Sequence, residues 1–148
     1  MSDGSDADRL GAVISDVHRL LRRSANQRAS RTALPDAQVE LLLLIRAQPG
    51  ISVKEAAGRL RTAPNTVSTL VRDLATAGLI DRERDPADGR VARLRLTPAA
   101  QDRMIDYARH RTALLTEALA QLDPDARAAL EAAVPHLDRL AVLLRGPA

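Results

Sequence analysis

The stretch Ser52-Val53-Lys54-Glu55-Ala56-Ala57-Gly58-Arg59-Leu60-Arg61-Thr62-Ala63-Pro64-Asn65-Thr66-Val67-Ser68-Thr69-Leu70-Val71-Arg72-Asp73-Leu74 reads as two short helices joined by a tight turn. Ser52 is a good N-cap for the first, and Glu55 stands three residues later in capping-box register. Ala56, Ala57 and Leu60 form its inner side, and it stops near Arg61. Pro64, favoured in a first helical turn, opens the second helix. Val67, Leu70, Val71 and Leu74 recur at spacings of three and four, which places them on one inward face. Ala77-Gly78 closes the helix, with Gly78 as the expected C-cap residue.

Downstream, residues 79–84 and 91–96 read as two short strands around Asp85-Pro86-Ala87-Asp88-Gly89, a run dense in turn formers, so a β-hairpin is expected. Thr97-Pro98 and Asp123-Pro124 each start a long helix. The last carries Leu130, Val134, Leu137, Leu140, Ala141 and Leu144 on one face and is interrupted by Pro135, which predicts a kink. Upstream, Leu10, Val13, Ile14, Val17, Leu20 and Leu21 form the stripe of an amphipathic helix that fades over residues 24–30. After Leu34-Pro35-Asp36, Val39 and residues 41–45 predict a more fully buried helix ending at Pro49-Gly50. The expected order is four helices, a hairpin and two helices: a mainly α (α+β) chain. Its expected parts are an N-terminal helix in residues 1–34, a central lobe in 35–98 and C-terminal helices in 99–148.

Composition removes several function classes. The 148 residues contain no cysteine, so disulfides, thiolate metal sites and thiol redox sensing are excluded. Residues 1–8 are polar and acidic, and the longest apolar run, residues 41–45, is far too short to span a bilayer. A soluble, cytoplasmic protein without a membrane partner is expected. Tyr107 is the one aromatic residue among the Phe, Tyr and Trp positions, which argues against base stacking on single strands. Lys54 is the sole lysine among 22 basic side chains. The arginine bias suits phosphate and guanine, and it also suits a GC-rich genome.

The two helices, their continuation Ala77-Gly78-Leu79-Ile80, and the run from Arg82 through Asp88-Gly89-Arg90 to Leu94-Arg95-Leu96-Thr97 together resemble the multiple antibiotic resistance regulator (MarR) family. The likeness extends over nearly the whole chain, because that family also has one helix before its DNA-binding lobe and two long ones after it. It implies a winged helix-turn-helix lobe with a β-hairpin wing, flanked by N- and C-terminal dimerisation helices. It also implies a homodimer on a palindromic operator in double-stranded DNA, and a transcriptional repressor released by a small-molecule effector, with no cofactor. Two positions differ from the common family pattern. Arg61 and Ala63 stand where Gly and Ser are frequent, and Asp88-Gly89-Arg90 stands where Asp-Arg-Arg is frequent.

A helix in the major groove meets base edges with its exposed first turns. Pro64, Asn65, Thr66, Ser68, Thr69 and Arg72 fill the polar face of the second helix. Asn can pair with adenine, Arg with guanine, and Thr can touch a thymine methyl. Between positions 52 and 95 the basic residues Lys54, Arg59, Arg61, Arg72, Arg82, Arg84, Arg90, Arg93 and Arg95 outnumber Glu55, Asp73, Asp81, Glu83, Asp85 and Asp88, so this lobe holds the whole net charge of +3. Arg90 at the hairpin tip suits a minor groove, with Arg84 and Arg93 on its strands. Asp88 is a candidate brace for Arg90. Lys54 and Ser52 are candidate phosphate contacts, although a purely structural N-cap is an equal reading of Ser52.

The terminal stripes read either as monomer core or as a dimer interface built from Leu10, Val13, Val17, Leu130, Val134, Leu137, Leu140 and Leu144. The interface is preferred, since the stripes flank a lobe with its own small core and the family resemblance points the same way. His18, Arg22 and Tyr107 are the candidates for an effector pocket. An enzyme is not expected. His18, His110 and His136 are widely separated, and neither His-Glu-x-x-His, Gly-x-Ser-x-Gly nor a phosphate-cradling glycine loop occurs, so there is no catalytic or metal candidate. A metal-responsive regulator and a helical protein-interaction module with a winged fold remain as alternatives, the basic hairpin arguing against the latter.

Overall fold

The computed structural model describes residues 3–147. Along the chain lie α1 (Asp3–Arg28), α2 (Asp36–Ala47), β1 (Ile51–Ser52), α3 (Val53–Leu60), α4 (Pro64–Thr76), β2 (Ile80–Arg84), β3 (Ala92–Leu96), α5 (Pro98–Ala120) and α6 (Pro124–Arg145). The order of helices and hairpin is the one the spacing and turn residues predict, with one addition, and it is the mainly helical winged helix-turn-helix arrangement that the family resemblance implies. Ile51 and Ser52 form a short strand opposite Leu94 and Arg93, giving a three-stranded antiparallel sheet in the order β1-β3-β2. Two residues are too few to show a period of two, so nothing in the sequence marks them as a strand. The hairpin register runs from Ile80 opposite Leu96 to Arg84 opposite Ala92.

The chain divides into two compact units, one of residues 25–109 and one combining residues 3–24 with 110–147. The first has a true core. Leu41, Ile45, Val67, Val71, Leu74 and Leu94 are fully buried, and Ile51, Ala56, Ala57, Leu79, Ile80 and Ala100 join them. Leu41, Leu42 and Ile45 come from α2, Val67, Val71 and Leu74 from α4, and Leu94 from the middle of the sheet. The apolar spacing of the sequence thus becomes one contiguous cluster.

Local hydrogen bonds explain where these elements start and stop. Ser52 Oγ accepts from the Glu55 amide at 3.1 Å and Asp123 Oδ1 from the Ala126 amide at 2.9 Å, so both act as N-caps. After α4, the Leu79 amide donates to the Leu74 carbonyl at 2.9 Å and the Gly78 amide to Ala75 at 3.0 Å. With Gly78 at φ +74° this is a Schellman ending, and buried Leu79 and Leu74 supply its apolar contact. Thr97 then joins three elements: its hydroxyl donates to the Gly78 carbonyl at 2.7 Å and accepts from the Ala100 amide at 3.1 Å, while its own amide donates to Leu79.

The second unit is different: none of its described residues is buried. Leu10, Val13, Ile14, Val17 and Leu20 on α1 are 45–52% exposed, and Leu130, Val134 and Leu137 on α6 are 43–52% exposed. Leu140 is half-buried and Leu144 is 78% exposed. Val142 and Leu143, outside the expected stripe, are exposed as well. α6 runs as one helix, Pro124–Arg145, with Pro135 inside it.

Candidate nucleic-acid interface

α4 sits on the core through Val67, Val71 and Leu74, which leaves the opposite face outward. Pro64, Asn65, Thr66, Ser68, Thr69 and Arg72 are all exposed. The Thr69 hydroxyl donates to the Asn65 carbonyl at 3.1 Å, so the methyl is the free group of that side chain. Arg72 is 69% exposed and has only a loose 3.8 Å approach to its neighbour Asp73. The helix begins at Ala63, which cannot cap it with a side chain. Its first amides therefore remain available at the positive end of the helix dipole.

α3 leads into α4 through a turn that ends in a left-handed residue. Arg61 lies at φ +52°, ψ +42°, the Thr62 amide donates to the Ala57 carbonyl at 3.0 Å, and the Arg61 amide reaches Gly58 at 3.3 Å. This is another Schellman ending, with arginine where glycine would be unstrained. Lys54 is exposed on α3. Ser52, by contrast, is 6% exposed and its hydroxyl faces the cap of α3. Of the two readings of Ser52, the structural one describes where its oxygen points, and a phosphate contact is withdrawn for it.

The hairpin tip is held by two carboxylates. Asp85 Oδ1 accepts from the amides of Ala87 at 2.7 Å and Asp88 at 3.2 Å, and its Oδ2 accepts from Arg93 Nε at 2.7 Å. Asp88 Oδ1 accepts from both the amide and Nε of Arg90, at 3.1 and 3.2 Å. The expected brace between Asp88 and Arg90 is present, yet Arg90 is 93% exposed, so the contact aims the side chain more than it stabilises the tip. Arg84 is exposed and has no side-chain partner among the described residues.

Arg93 occupies another position. Besides Asp85 it donates to Glu55 Oε1 at 3.2 Å and to the Gly50 carbonyl at 3.4 Å, which ties β3 to α3 and to the turn before β1. These bonds, that to Asp85 first, raise its pKa above the ordinary arginine value. The Arg93 bond, followed by the amides of Ala87 and Asp88, holds the Asp85 carboxyl below the usual range. Arg93 is thus engaged on three sides and positions the hairpin. Spacing could not reveal its partners, since Asp85 is 8 and Glu55 38 residues away.

Within residues 25–109 an open pocket of about 290 Å³ is lined by Ile45, Arg46, Pro49, Arg95, Leu96, Gln101 and Ile105. None of His18, Arg22 and Tyr107 lines it. His18 and Arg22 belong to one unit and Tyr107 to the other. Among the described residues, no three His, Asp or Glu side chains are grouped as a metal site requires, and no helix is long and apolar enough to cross a membrane.

A family model described as MarR family matches residues 34–91. The search of curated proteins finds no match. Among solved structures, the chain is similar to a Pseudomonas aeruginosa protein described as a candidate transcriptional regulator, with 30% identity, 95% of this chain and 96% of that one covered, and a TM-score of 0.82. It is similar to MarR at 26% identity, covering 90% and 97% of the two chains with a TM-score of 0.63. It also shares the fold of Streptococcus pneumoniae FabT, solved in complex with DNA, at 19% identity, 93% and 99% coverage and a TM-score of 0.67.

Proposed function

The chain belongs to the MarR family of transcriptional regulators, and from that premise we propose that it is a homodimer that binds a palindromic duplex operator and represses transcription until a small molecule releases it. The observation that carries DNA binding is the exposed polar face of α4. Asn65, Thr66, Ser68, Thr69 and Arg72 stand over a buried Val67-Val71-Leu74 row, so a rigid core holds readers of base edges in one plane. Arg84 and Arg90 extend the same reading to an adjacent minor groove or phosphate, with Lys54 as a phosphate contact. Arg93 acts through the hairpin it positions.

In this reading residues 35–98 form the DNA-binding lobe, and residues 1–34 and 99–148 dimerise. The support for a second copy as partner is energetic. Completing the burial of a half-exposed Leu or Val is worth about 1 kcal/mol. The eight expected interface residues of each protomer together supply on the order of 10 kcal/mol before the cost of association. A unit in which no described residue is buried requires such a contribution from outside the chain. The effector would be an anion with an apolar body if it uses the pocket, whose arginines Arg46 and Arg95 flank Ile45, Leu96 and Ile105. The protein works by occupancy rather than chemistry, in the cytoplasm where the operator lies.

The test is fluorescence anisotropy with a duplex from upstream of its own gene and a scrambled duplex of equal length, at several salt concentrations. Tighter binding of the upstream duplex, with log affinity falling linearly against log salt, is expected. Equal affinities, or indifference to salt, would overturn the reading.

A further inference from the structure

Two exposed positions at the end of α3 carry residues that the backbone does not favour. Gly58 lies inside the helix at a place where an added Cβ would meet nothing within 4 Å. Packing within the chain therefore gives no reason for glycine there, and in an exposed helix interior glycine is less favourable than alanine. Three residues on, Arg61 adopts the left-handed conformation in which glycine would be unstrained and a side chain is not. The helix would be more stable with a side chain at 58 and none at 61. It has the reverse.

A local explanation for Arg61 is missing on both counts that usually supply one. Its side chain is exposed and forms no ion pair or hydrogen bond among the described residues, so no contact inside the chain offsets the strain. Ser30 is also left-handed, but with a short, uncharged side chain. At Arg61 a full positive charge is projected from the turn that leads into Pro64 and Asn65. Gly58 is adjacent in the same turn, since the Arg61 amide donates to its carbonyl at 3.3 Å, and Lys54 lies one turn further back on the same face of α3.

We propose that Gly58 and Arg61 form a phosphate-docking surface on which the DNA backbone seats beside the recognition helix: glycine lets a strand approach the α3 backbone closely, and Arg61 holds the phosphate it brings. This rests on the DNA-binding reading and adds to it a contact outside α4 and the hairpin. The ligand is a phosphodiester of duplex DNA, chosen over an acidic protein segment because the adjoining face is that of α4. Such a contact carries affinity and register but no sequence preference.

The opposed signs make the assignment testable with the full-length protein. Arg61→Gly and Gly58→Ala should each raise the melting midpoint, because each relieves an unfavourable backbone choice. Both should nevertheless weaken binding to the upstream and scrambled duplexes alike, by about tenfold for Arg61→Gly. Arg61→Gly should also make the salt slope shallower by about one unit per lobe. Arg61→Asn, which tolerates the left-handed conformation, should repeat the loss, and Arg61→Lys should keep the wild-type slope. If wild type binds with steep salt dependence but Arg61→Gly binds equally well, this surface is overturned and the DNA-binding reading stands. A wild-type protein that binds neither duplex overturns both.

Discussion

Arg93 on β3 donates from Nε to Oδ2 of Asp85 at 2.7 Å, and the other oxygen of that carboxylate holds the amides of Ala87 and Asp88. One carboxylate therefore fixes both the strand and the tip of the hairpin. The same arginine reaches Glu55 on α3, so the wing is anchored to the helix-turn-helix rather than hinged freely on its two strands.

A pH dependence follows from this arrangement. Because the Arg93 bond and the two amides depress the pKa of Asp85 in the folded protein, its stabilising effect is complete above the ordinary aspartate value of about 3.9 and is lost as pH falls through the lower folded value. The Ala87 and Asp88 amide resonances should stay constant from pH 7 down to about 5 and shift only below about 4. Asp85→Asn at neutral pH should reproduce the acid spectrum and weaken duplex binding while the core stays folded. Movement of these resonances near pH 6 would contradict the assignment.

Thr97 is 9% exposed and serves the end of α4 and the start of α5 with one hydroxyl. Thr97→Val should leave the Gly78 carbonyl and the Ala100 amide without that partner and cost about 1–2 kcal/mol in denaturant unfolding. Thr97→Ser should recover most of it. Equal stability of the valine variant would mean that water replaces the hydroxyl.

α4 starts without a side-chain cap because its N-cap residue is Ala63. Ala63→Ser should add a bond to a first-turn amide and stabilise the protein by about 1 kcal/mol, raising the melting midpoint by roughly 2–4 °C. Calorimetry at fixed protein concentration measures this directly, and an unchanged midpoint would show that the first turn is already satisfied by solvent.

The exposed stripe of α6 sets the expected oligomeric state. Leu137→Glu places a charge among Leu130, Val134 and Leu140 and should shift sedimentation from dimer towards monomer, with helical circular dichroism falling in parallel. The wild-type midpoint should rise with protein concentration. A folded monomer at micromolar concentration would sink the dimer.

The recognition helix and the wing should fail differently. Arg72→Ala or Asn65→Ala should cost about 1–3 kcal/mol on the operator and relax preference at particular base pairs. Arg90→Ala should weaken operator and scrambled duplexes evenly and reduce the salt slope by about one unit if its contact is to phosphate. Binding series on both duplexes separate the two, and an Arg90→Ala protein with unaltered affinity and slope would remove the hairpin from the interface.

The sequence by itself determined every element that local chemistry marks. Apolar spacings of three and four located the helices, Ser52, Thr97 and Asp123 marked three starts, Gly78 marked the end of α4, and the Asp85-to-Gly89 run located the turn of the hairpin. The exposed face of α4 was legible for the same reason, because a helix that buries Val67, Val71 and Leu74 must show Asn65, Ser68 and Arg72. Only the tertiary structure decided what depends on residues distant in the chain. Ile51 and Ser52 become a strand because β3 lies beside them, and Thr97 finds the Gly78 carbonyl 19 residues away. Arg93 becomes a brace instead of a free charge because Asp85 and Glu55 converge on it. A side chain's type and spacing fix the face on which it stands, but its partners are set by how other elements pack against that face. Composition therefore counted the arginines of this lobe, and only the fold separated those held in internal bonds from those left exposed.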